Sequence, residues 1–497
     1  MRYNPDTMVN VADYGTSDAA FQSAVVAAKE NEINNKDLYF SAGSYELNSE
    51  VVSGFGGMLF GQRKDLVTLT NTQVVNSLNT ISCQGAQDLT TNNISIGSFY
   101  HTDASARQHS NKIVINNCII NCGGLSSAGY FFQAAKNVPQ YGAFSVDISD
   151  NIINLGGCYQ GFNLRWLGGL KFKNNRIKFN GRVDHALRIE PQWQYCTDGV
   201  NDVHDNSAIE ISNNDISATD VGMVTGIMFA SNRRGAISGA RVFGNKLSGV
   251  EEEGIAFDGF GNNDGLCPTL CIGTLSSVSN DADGRLVIGF DNMQKSSSGV
   301  SVSSIIEERP DWLQFRFSFN RGTGFDGLIA RIHSVDASAN TIKLDLFINA
   351  AAVNLSGLFA VQAGFYNCEI KNNEIFGSHG VDQSYGVGIS LWLNCCGFDV
   401  SNNFISGMPD GISVSGGLML SLYETIAWHN TIRDNTIVGA YNDFPLKVQG
   451  VYGSQSYQYG NRVYNNWLSN GGIQMKKQKD FIFHNNYSKA GVVEFTK

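Results

Sequence analysis

Residues 371–417 read KNNEIFGSHGVDQSYGVGISLWLNCCGFDVSNNFISGMPDGISVSGG and contain the same pattern twice. In each copy a pair of asparagines precedes a short alternating segment, a polar loop and a Gly-Ile-x-φ-x segment, in which φ is apolar. Alternation of apolar and polar residues at a period of two predicts β-strands rather than helices. Asparagine tolerates the left-handed backbone conformation, so each pair is expected at a sharp corner between two strands.

The same unit recurs along most of the chain. Other segments with the asparagine signature are INNCIIN, SDNIINL, KNNRIKF, SNNDISA, FGNKLSG, RDNTIVG, YNNWLSN and HNNYSKA. Short repeats of one supersecondary unit form solenoids, in which each coil buries its apolar side against the next. The sequence therefore predicts an all-β fold, a right-handed parallel β-helix whose stacked asparagines hydrogen-bond from coil to coil. A β-propeller fits less well, because its blades need a more regular repeat.

One stretch, residues 264–365, interrupts this pattern. Its segments GRLVIGF, DWLQFRFSF, LIARIHSV and NTIKLDLFI predict antiparallel strands joined by turns. We therefore expect an inserted antiparallel β domain. The predicted organisation is an entry strand and capping helix at 1–50, β-helix coils at 51–263, the inserted domain at 264–365 and further β-helix coils at 366–497.

Composition limits the classes of function. The 497 residues are 42% hydrophobic and only 16% charged, with a net charge of −10, which allows a large core and disfavours a coiled coil. The acidic balance argues against nucleic-acid binding, and no apolar run is long enough for insertion into a membrane. Neither a metal-ligand spacing nor a phosphate loop is found, so no metal and no cofactor are expected. The ten cysteines are expected to be buried thiols.

The segment NVADYGTSDAAFQSAVVAAKE (10–30) predicts a strand followed by a short helix. Ser17 is the expected N-cap, and the apolar stripe of the helix would comprise Phe21, Ala24, Val25 and Ala28. Such a helix would cover the open edge of the first coil. The segment resembles the entry segment of the pectate-lyase-like β-helix superfamily, especially that of phage tailspike depolymerases. The matching positions are Val11, Asp13, Tyr14, Gly15, Phe21, Gln22 and Ala24, whereas the acidic glycine loop is shortened.

This resemblance implies an enzyme that depolymerises a bacterial surface polysaccharide, such as a capsule, an exopolysaccharide or an O-antigen. It also implies a homotrimer that folds in the host cytoplasm and belongs to the virion tail. The first twenty residues lack the apolar segment of a signal peptide, which agrees with cytoplasmic folding. Two other functions stay open: a polysaccharide lyase that acts by β-elimination, and a non-catalytic glycan-binding adhesin.

Aligning the Gly-Ile-x-φ-x segments predicts columns of outward-facing side chains on stacked strands. The column at the last position contains Arg165, Glu190, Ala230, Asp258, Trp392 and Ser415. Glu190 and Asp258 lie two rungs apart in this alignment, about 9–10 Å, with an open space expected over Ala230. Inverting glycosidases separate their carboxyl groups by about 6.5–9.5 Å. We therefore predict Glu190 and Asp258 as the catalytic pair of a glycoside hydrolase, with Glu253 as a substitute.

Further side chains are predicted to bind the substrate. Arg165 and Arg188 would bind acidic or hydroxyl-rich sugars and hold Glu190 ionised. The rings of Trp193 and Trp392 would pack on sugar faces. His185 would be the base if the enzyme were a lyase. Each residue also has a structural interpretation: a solvated carboxylate, an aromatic packed at an interface, or a histidine satisfied within the fold.

Overall fold

The computed structural model describes residues 2–29, 36–48, 55, 57–71, 79–81, 83, 85–96, 99–101, 112–123, 130–136, 144–191, 209–218, 220–230, 236–258, 269–295, 316–336, 338–362, 364–378, 386–417, 426–451, 457–490 and 493–496. Most of them belong to strands that pair in parallel with the corresponding strand of the next coil. The chain thus winds as a parallel β-helix with three long faces, named A, B and C.

The strands of the three faces follow one another in each coil, and two long strands turn a corner and serve two faces. Face A contains Met8–Asn10, Asp37–Phe40, Met58–Gly61, Gly85–Gln87, Lys112–Asn116, Phe144–Ser149, Ile209–Ser212, Arg241–Phe243, Glu369–Lys371, Asp399–Ser401, Thr431–Arg433, Arg462–Tyr464 and Ile482–His484. Face B contains Gly43–Glu46, Val67–Thr70, Thr90–Asn92, Ile119–Cys122, Ile152–Leu155, Arg176–Phe179, Asp215–Ser217, Glu374–Gly377, Phe404–Ser406, Thr436–Val438, Trp467–Leu468 and Tyr487–Ser488. Face C contains Phe99–His101, Tyr130–Lys136, Val183–Pro191, Met223–Ala230, Val387–Trp392, Asp410–Gly417, Leu446–Val451, Ile473–Lys476 and Val493–Thr496. The two long strands are Cys158–Lys173, on faces C and A, and Lys246–Asp258, on faces B and C.

Short strand stacks complete the coils, and the described residues include two 3-10 helices, one near the N-terminal helix and one in the inserted region. The short stacks are Asn79–Ile81 with Ile94–Ile96, Ala236–Ser238 with Gly364–Tyr366 and Cys395–Cys396, and Gln458–Tyr459 with Gln478–Lys479. The 3-10 helices are Val11–Asp13 and Ala350–Ala352.

The α-helix Asp18–Ala28 packs on the first coil. Ser17 accepts a hydrogen bond from the amide of Ala20 at 3.3 Å, which confirms the predicted N-cap. The predicted apolar stripe is buried, and the ring of Phe21 stacks on that of Phe40 at 6.2 Å between centroids. The helix therefore closes the apolar interior at this end of the coils.

The corner between faces A and B carries the predicted asparagine ladder. The first residue of each corner has a positive φ, as in Asn174 at 55° and Asn213 at 54°, and the second is buried, except for the partly buried Asn486. The buried amide of Asn175 donates to the Oδ1 of Asn214 at 2.9 Å. The ladder then continues from coil to coil through Asn151, Asn175, Asn214, Asn245, Asn373, Asn403, Asn435, Asn466 and Asn486.

A second corner explains the glycine in the Gly-Ile-x-φ-x segments. A Cβ atom on Gly254 would lie 2.4 Å from the carbonyl oxygen of Gly388 and 2.7 Å from Cγ2 of Ile375. Because real Cβ contacts are much longer, the chain can turn this closely into face C only without a side chain. The next residue, Ile255, is fully buried in the β-helix core.

The inserted region forms a closed antiparallel barrel with a core of its own. Its strands, in order around the barrel, are Thr269–Asn280, Leu286–Lys295, Thr341–Leu344, Ile329–Asp336, Arg316–Arg321 and Leu358–Gln362. Phe317 stacks on Phe359 at 4.8 Å in its centre. The coils on either side of the insertion are direct neighbours, since Asn245 donates to Asn373 at 3.0 Å across 128 residues of sequence.

These features confirm the predicted fold class of parallel β-helix, N-terminal helix and inserted antiparallel β domain. The cysteines whose side chains are described, Cys83, Cys118, Cys122, Cys158, Cys368, Cys395 and Cys396, are free and buried, as expected. Burial raises the pKa of the Cys118 thiol to about 12, so this group is unreactive at neutral pH. Within the described ranges, no helix has the length and apolar character needed to cross a membrane.

Candidate active site

The strand register of face C reproduces the predicted outermost column. Arg165 pairs with Glu190, Ala230 pairs with Asp258, and Asp258 pairs with Trp392. Ile189 pairs with Phe229, which places Glu190 beside Ala230. The backbone positions of Glu190 and Asp258 are therefore two rungs apart, about 9–10 Å from the strand spacing.

Ala230 lies at the centre of this column. It is only 2% exposed and packs in a small apolar cluster with Met228 and Ala256. Its methyl group is therefore not an exposed floor of the space expected between Glu190 and Asp258. Asp258 is partly exposed, and Trp392 beside it is 48% exposed. The side chains of Arg165 and Glu190, and the whole of Trp193, lie outside the described residues.

A second column lies at the other end of the same strands, immediately before the glycine corner. It consists of Gln160, His185, Thr225, Glu253, Val387 and Asp410, in register on successive rungs. His185 and Glu253 are two rungs apart, with Thr225 between them. Their Cα atoms are thus about 9–10 Å apart.

The imidazole of His185 is held neutral by its surroundings. Burial lowers its pKa to about 4, and the nearby positive charge of Arg188 acts in the same direction. Among the residues that the structure describes, its buried Nδ1 atom has no hydrogen-bond partner, and neither has Oε1 of Gln160 on the adjacent rung. Tyr159 lies edge-on to the imidazole at 6.1 Å between ring centroids. A neutral imidazole has a free lone pair that accepts a proton.

The carboxyl group of Glu253 is shifted toward its protonated form. Burial is the main cause of its raised pKa, and the neighbouring Glu252 raises it further, while a hydrogen bond with Ser390 opposes both. Glu252 is exposed on the same strand. A carboxyl group with a raised pKa keeps its proton to a higher pH than an ordinary carboxyl group and is better suited to act as a proton donor.

A buried cation accompanies these two groups. Arg188 follows His185 on the same strand and is only 4% exposed. It pairs in register with Asn163, which is fully buried. The cation is thus fixed beside the neutral imidazole on the outer side of face C, where a guanidinium can bind a carboxylate with two hydrogen bonds.

The register separates Glu253 from the predicted carboxyl pair. Glu253 and Asp258 are five positions apart along the strand, a distance on the order of 15 Å between their Cα atoms. Catalytic carboxyl groups of glycosidases are at most about 9.5 Å apart. The geometry therefore does not support Glu253 as a substitute for Glu190 or Asp258 and groups it with His185 instead.

Other carboxylates near this column have structural partners. Asp410 continues the column but accepts hydrogen bonds from Lys447 at 2.8 Å and Asn442 at 2.9 Å. Glu251 is paired with Arg182 at 2.8 Å. In contrast to these neutralised groups, Glu253 has no cation among the causes of its pKa shift.

Sequence reasoning missed Gln160 and Thr225, although a signal for them exists. Both occupy the residue directly before the glycine position of the Gly-Ile-x-φ-x segment, and so do His185 and Glu253. Aligning that position would have assembled the column from sequence. The described part of the chain contains no group of three or more His, Cys, Asp or Glu side chains that could hold a metal ion.

No family model and no curated protein sequence matches the chain. Solved structures with a similar outline include the A-module of the mannuronan C-5 epimerase AlgE6 from Azotobacter vinelandii, at 10% identity and a TM-score of 0.42, which covers 98% of both chains. The Agl-KA catalytic domain has 12% sequence identity and a TM-score of 0.41, and the match covers all of this chain and 69% of the other. The Streptococcus pneumoniae surface protein and adhesin PfbA has 13% sequence identity and a TM-score of 0.38, and the match covers 99% of this chain and 100% of the other. At these scores the likenesses carry no argument about the activity of this chain.

Proposed function

We propose that this protein is a polysaccharide-cleaving enzyme whose active site is the His185–Arg188–Glu253 region of face C. The observation that carries the proposal is the combination of a neutral histidine, a buried arginine and a protonation-prone carboxyl group on one outward face. Buried ionisable groups contribute little to solubility, and side chains with strongly shifted pKa values concentrate at functional sites. A long face of parallel strands also suits an extended polymer.

The arrangement favours β-elimination on a uronate-containing glycan. The Arg188 guanidinium would bind the uronate carboxylate and stabilise the negative charge that develops when the C5 proton leaves. The neutral imidazole of His185 would take that proton. The C4–O4 bond would then break as the C4–C5 double bond forms, and Glu253 would give its proton to the departing O4 oxygen.

The test is incubation with a panel of capsular and O-antigen polysaccharides, some with uronates and some without. Products are followed by new reducing ends and by ultraviolet absorbance of the conjugated double bond. We expect both signals with a uronate polymer, and a loss of about 100-fold or more in kcat for His185→Gln and Glu253→Gln. Glu374→Gln is the matched control and should keep wild-type activity, because that carboxylate is exposed on face B, away from His185 and Glu253.

A second activity is carboxylate-assisted hydrolysis at Glu190 and Asp258, which the register of the outermost column favours. Trp392, exposed beside Asp258, would bind a sugar ring, and Arg165, Arg188 and Trp193 would complete the binding groove. Reducing ends without ultraviolet absorbance, abolished by Glu190→Gln and Asp258→Asn, would support this activity and contradict elimination. Binding of a polysaccharide without any product would indicate an adhesin.

The biological setting that we propose rests on the resemblance of residues 10–30. It is a homotrimeric tailspike-type protein of a phage virion tail, which acts on capsule, exopolysaccharide or O-antigen at the bacterial surface. Sedimentation equilibrium of the purified chain tests the assembly. A mass of three chains is expected, and a monomer that cleaves polysaccharide at the wild-type rate would contradict it.

A further inference from the structure

A cavity of about 420 Å³ lies where the barrel meets the β-helix. Arg316 and Arg331 line it from the barrel, and Tyr366, Asn367 and His429 line it from the coils. His429 Nε2 lies 2.7 Å from the carbonyl oxygen of Gly327, a direct link between the two walls. None of these residues belongs to face C, so the cavity is separate from the proposed active site.

The barrel wall of the cavity carries two arginines. Arg316 and Arg331 are directly opposite each other on antiparallel strands, so both guanidinium groups are on the same side of the sheet. Like charges placed directly opposite destabilise a sheet pair. Arg316 is moreover only 5% exposed. An anion bound between the two arginines would offset their repulsion, since guanidinium groups bind carboxylates with paired hydrogen bonds.

The opposite wall presents a polar group that the fold does not use. Tyr366 is 4% exposed, and its buried hydroxyl has no hydrogen-bond partner within the described structure. The guanidinium of Arg316 lies over its ring at 5.6 Å. Burial raises the pKa of Tyr366 well above its usual value, so the hydroxyl stays protonated and can donate. Buried hydroxyl groups are usually hydrogen-bonded, and a ligand hydroxyl would satisfy this one.

We propose that this cavity binds one acidic sugar unit of a glycan, with its carboxylate on Arg316 and Arg331 and a hydroxyl on Tyr366. Its volume is at the small end of the range for ligand pockets, which fits one or two sugar rings. The identification of the ligand as a sugar rests on the proposed function. The site contains no acid–base pair of its own and would hold the polymer while face C acts on it.

The experiment measures binding of glucuronate and galacturonate by calorimetry, with glucose, galactose and inorganic phosphate as comparison ligands. We expect the uronates to bind at least about tenfold more tightly than the neutral sugars. Arg331→Gln, which changes an exposed side chain, should weaken uronate binding about tenfold, and Tyr366→Phe should weaken it severalfold. Arg321→Gln, an exposed arginine on the same strand as Arg316, is the matched control and should bind normally.

Three results would overturn the site. They are no uronate binding, equal binding of neutral sugars, and phosphate binding as tight as uronate binding with no loss in Tyr366→Phe. The last result would indicate a simple anion site. Failure of the proposed enzyme function gives a different pattern: uronates bind as expected, but no polysaccharide is cleaved. If both proposals hold, Glu253→Gln abolishes cleavage and keeps uronate binding, whereas Arg331→Gln keeps cleavage of short oligosaccharides.

Discussion

Two columns of mainly polar side chains run along this β-helix, and they differ in how their hydrogen bonds are satisfied. In the asparagine ladder, each amide donates and accepts from rung to rung, as Asn214 does with Asn245 at 2.8 Å. In the face C column, by contrast, Oε1 of Gln160 and Nδ1 of His185 are buried and find no partner in the described part of the chain. A buried polar group without a partner costs free energy that a paired group does not.

We attribute this difference in hydrogen bonding to the roles of the two columns: the ladder stabilises the fold, and the face C column belongs to the proposed active site. The ladder uses identical side chains because each rung repeats the same corner and needs the same hydrogen bonds. The face C column changes its side chain at every rung, from Gln160 through His185 and Thr225 to Glu253, although the backbone geometry is the same. If the face C column is the proposed active site, chemistry rather than architecture selects these residues, and variants in the two columns should behave in opposite ways.

The largest effect is expected for Asn245→Ala, in the rung that joins the two halves of the ladder. This change removes donation to Asn373 and to the carbonyl of Ile211, and it removes the acceptor for Asn214. Leaving several buried groups unpaired should lower the free energy of unfolding by about 3–5 kcal/mol. Denaturant unfolding measures it. Asn154→Ala, which loses one partly buried hydrogen bond to Asn121, should cost at most about 1 kcal/mol. Equal costs would show that the ladder is not specially stabilising.

The second effect is a pH dependence located at His185. Its pKa of about 4 is below the ordinary 6.5, so between these values the unfolded chain binds more protons than the folded one. Stability should therefore fall as pH decreases through this window, by on the order of 2–3 kcal/mol for this group. The measurement is the difference in unfolding free energy between wild type and His185→Gln at pH 7 and pH 4. A difference that does not change with pH would contradict the buried neutral imidazole.

The third effect tests the corner that presents this column. Gly254→Ala would place a Cβ against the carbonyl of Gly388, at 2.4 Å before relaxation. Such overpacking should cost about 1–3 kcal/mol and displace Glu253. Gly123→Ala is the control, because the nearest atom to its Cβ is 3.5 Å away. Thermal unfolding compares the two variants, and equal melting temperatures would show that the glycine corner adapts freely.

The fold was predictable because both corners leave local signatures. Asn pairs require the left-handed conformation, and Gly before an Ile-x-φ-x strand requires close approach, so each coil carries its own markers. The residue that occupies the ladder is the second member of each pair. In the coil where Asn117 has a φ of 52°, this second position is Cys118 instead of an asparagine, and its amide donates to Asn151. No such marker fixes what covers the outer surface. The burial of Ala230 and the grouping of Glu253 with His185 depend on contacts between distant segments.

The smallest effect sharpens the contrast most, because it should be a gain in stability. Glu253 has a raised pKa, chiefly through burial, so its ionised form is disfavoured in the folded state. As pH rises through that pKa, the wild type loses stability, whereas Glu253→Gln cannot ionise and does not. The variant should therefore be slightly more stable than wild type at pH 8 and equal to it near pH 4, where both side chains are neutral. Glu374→Gln, at an exposed carboxylate on face B, should show no such trend. A less stable Glu253→Gln at pH 8 would mean that the fold holds the carboxylate ionised, and the proton-donor role would then fail.

A gain in stability together with lost cleavage would identify Glu253 as a residue kept for function at the expense of stability, which no member of the asparagine ladder should match.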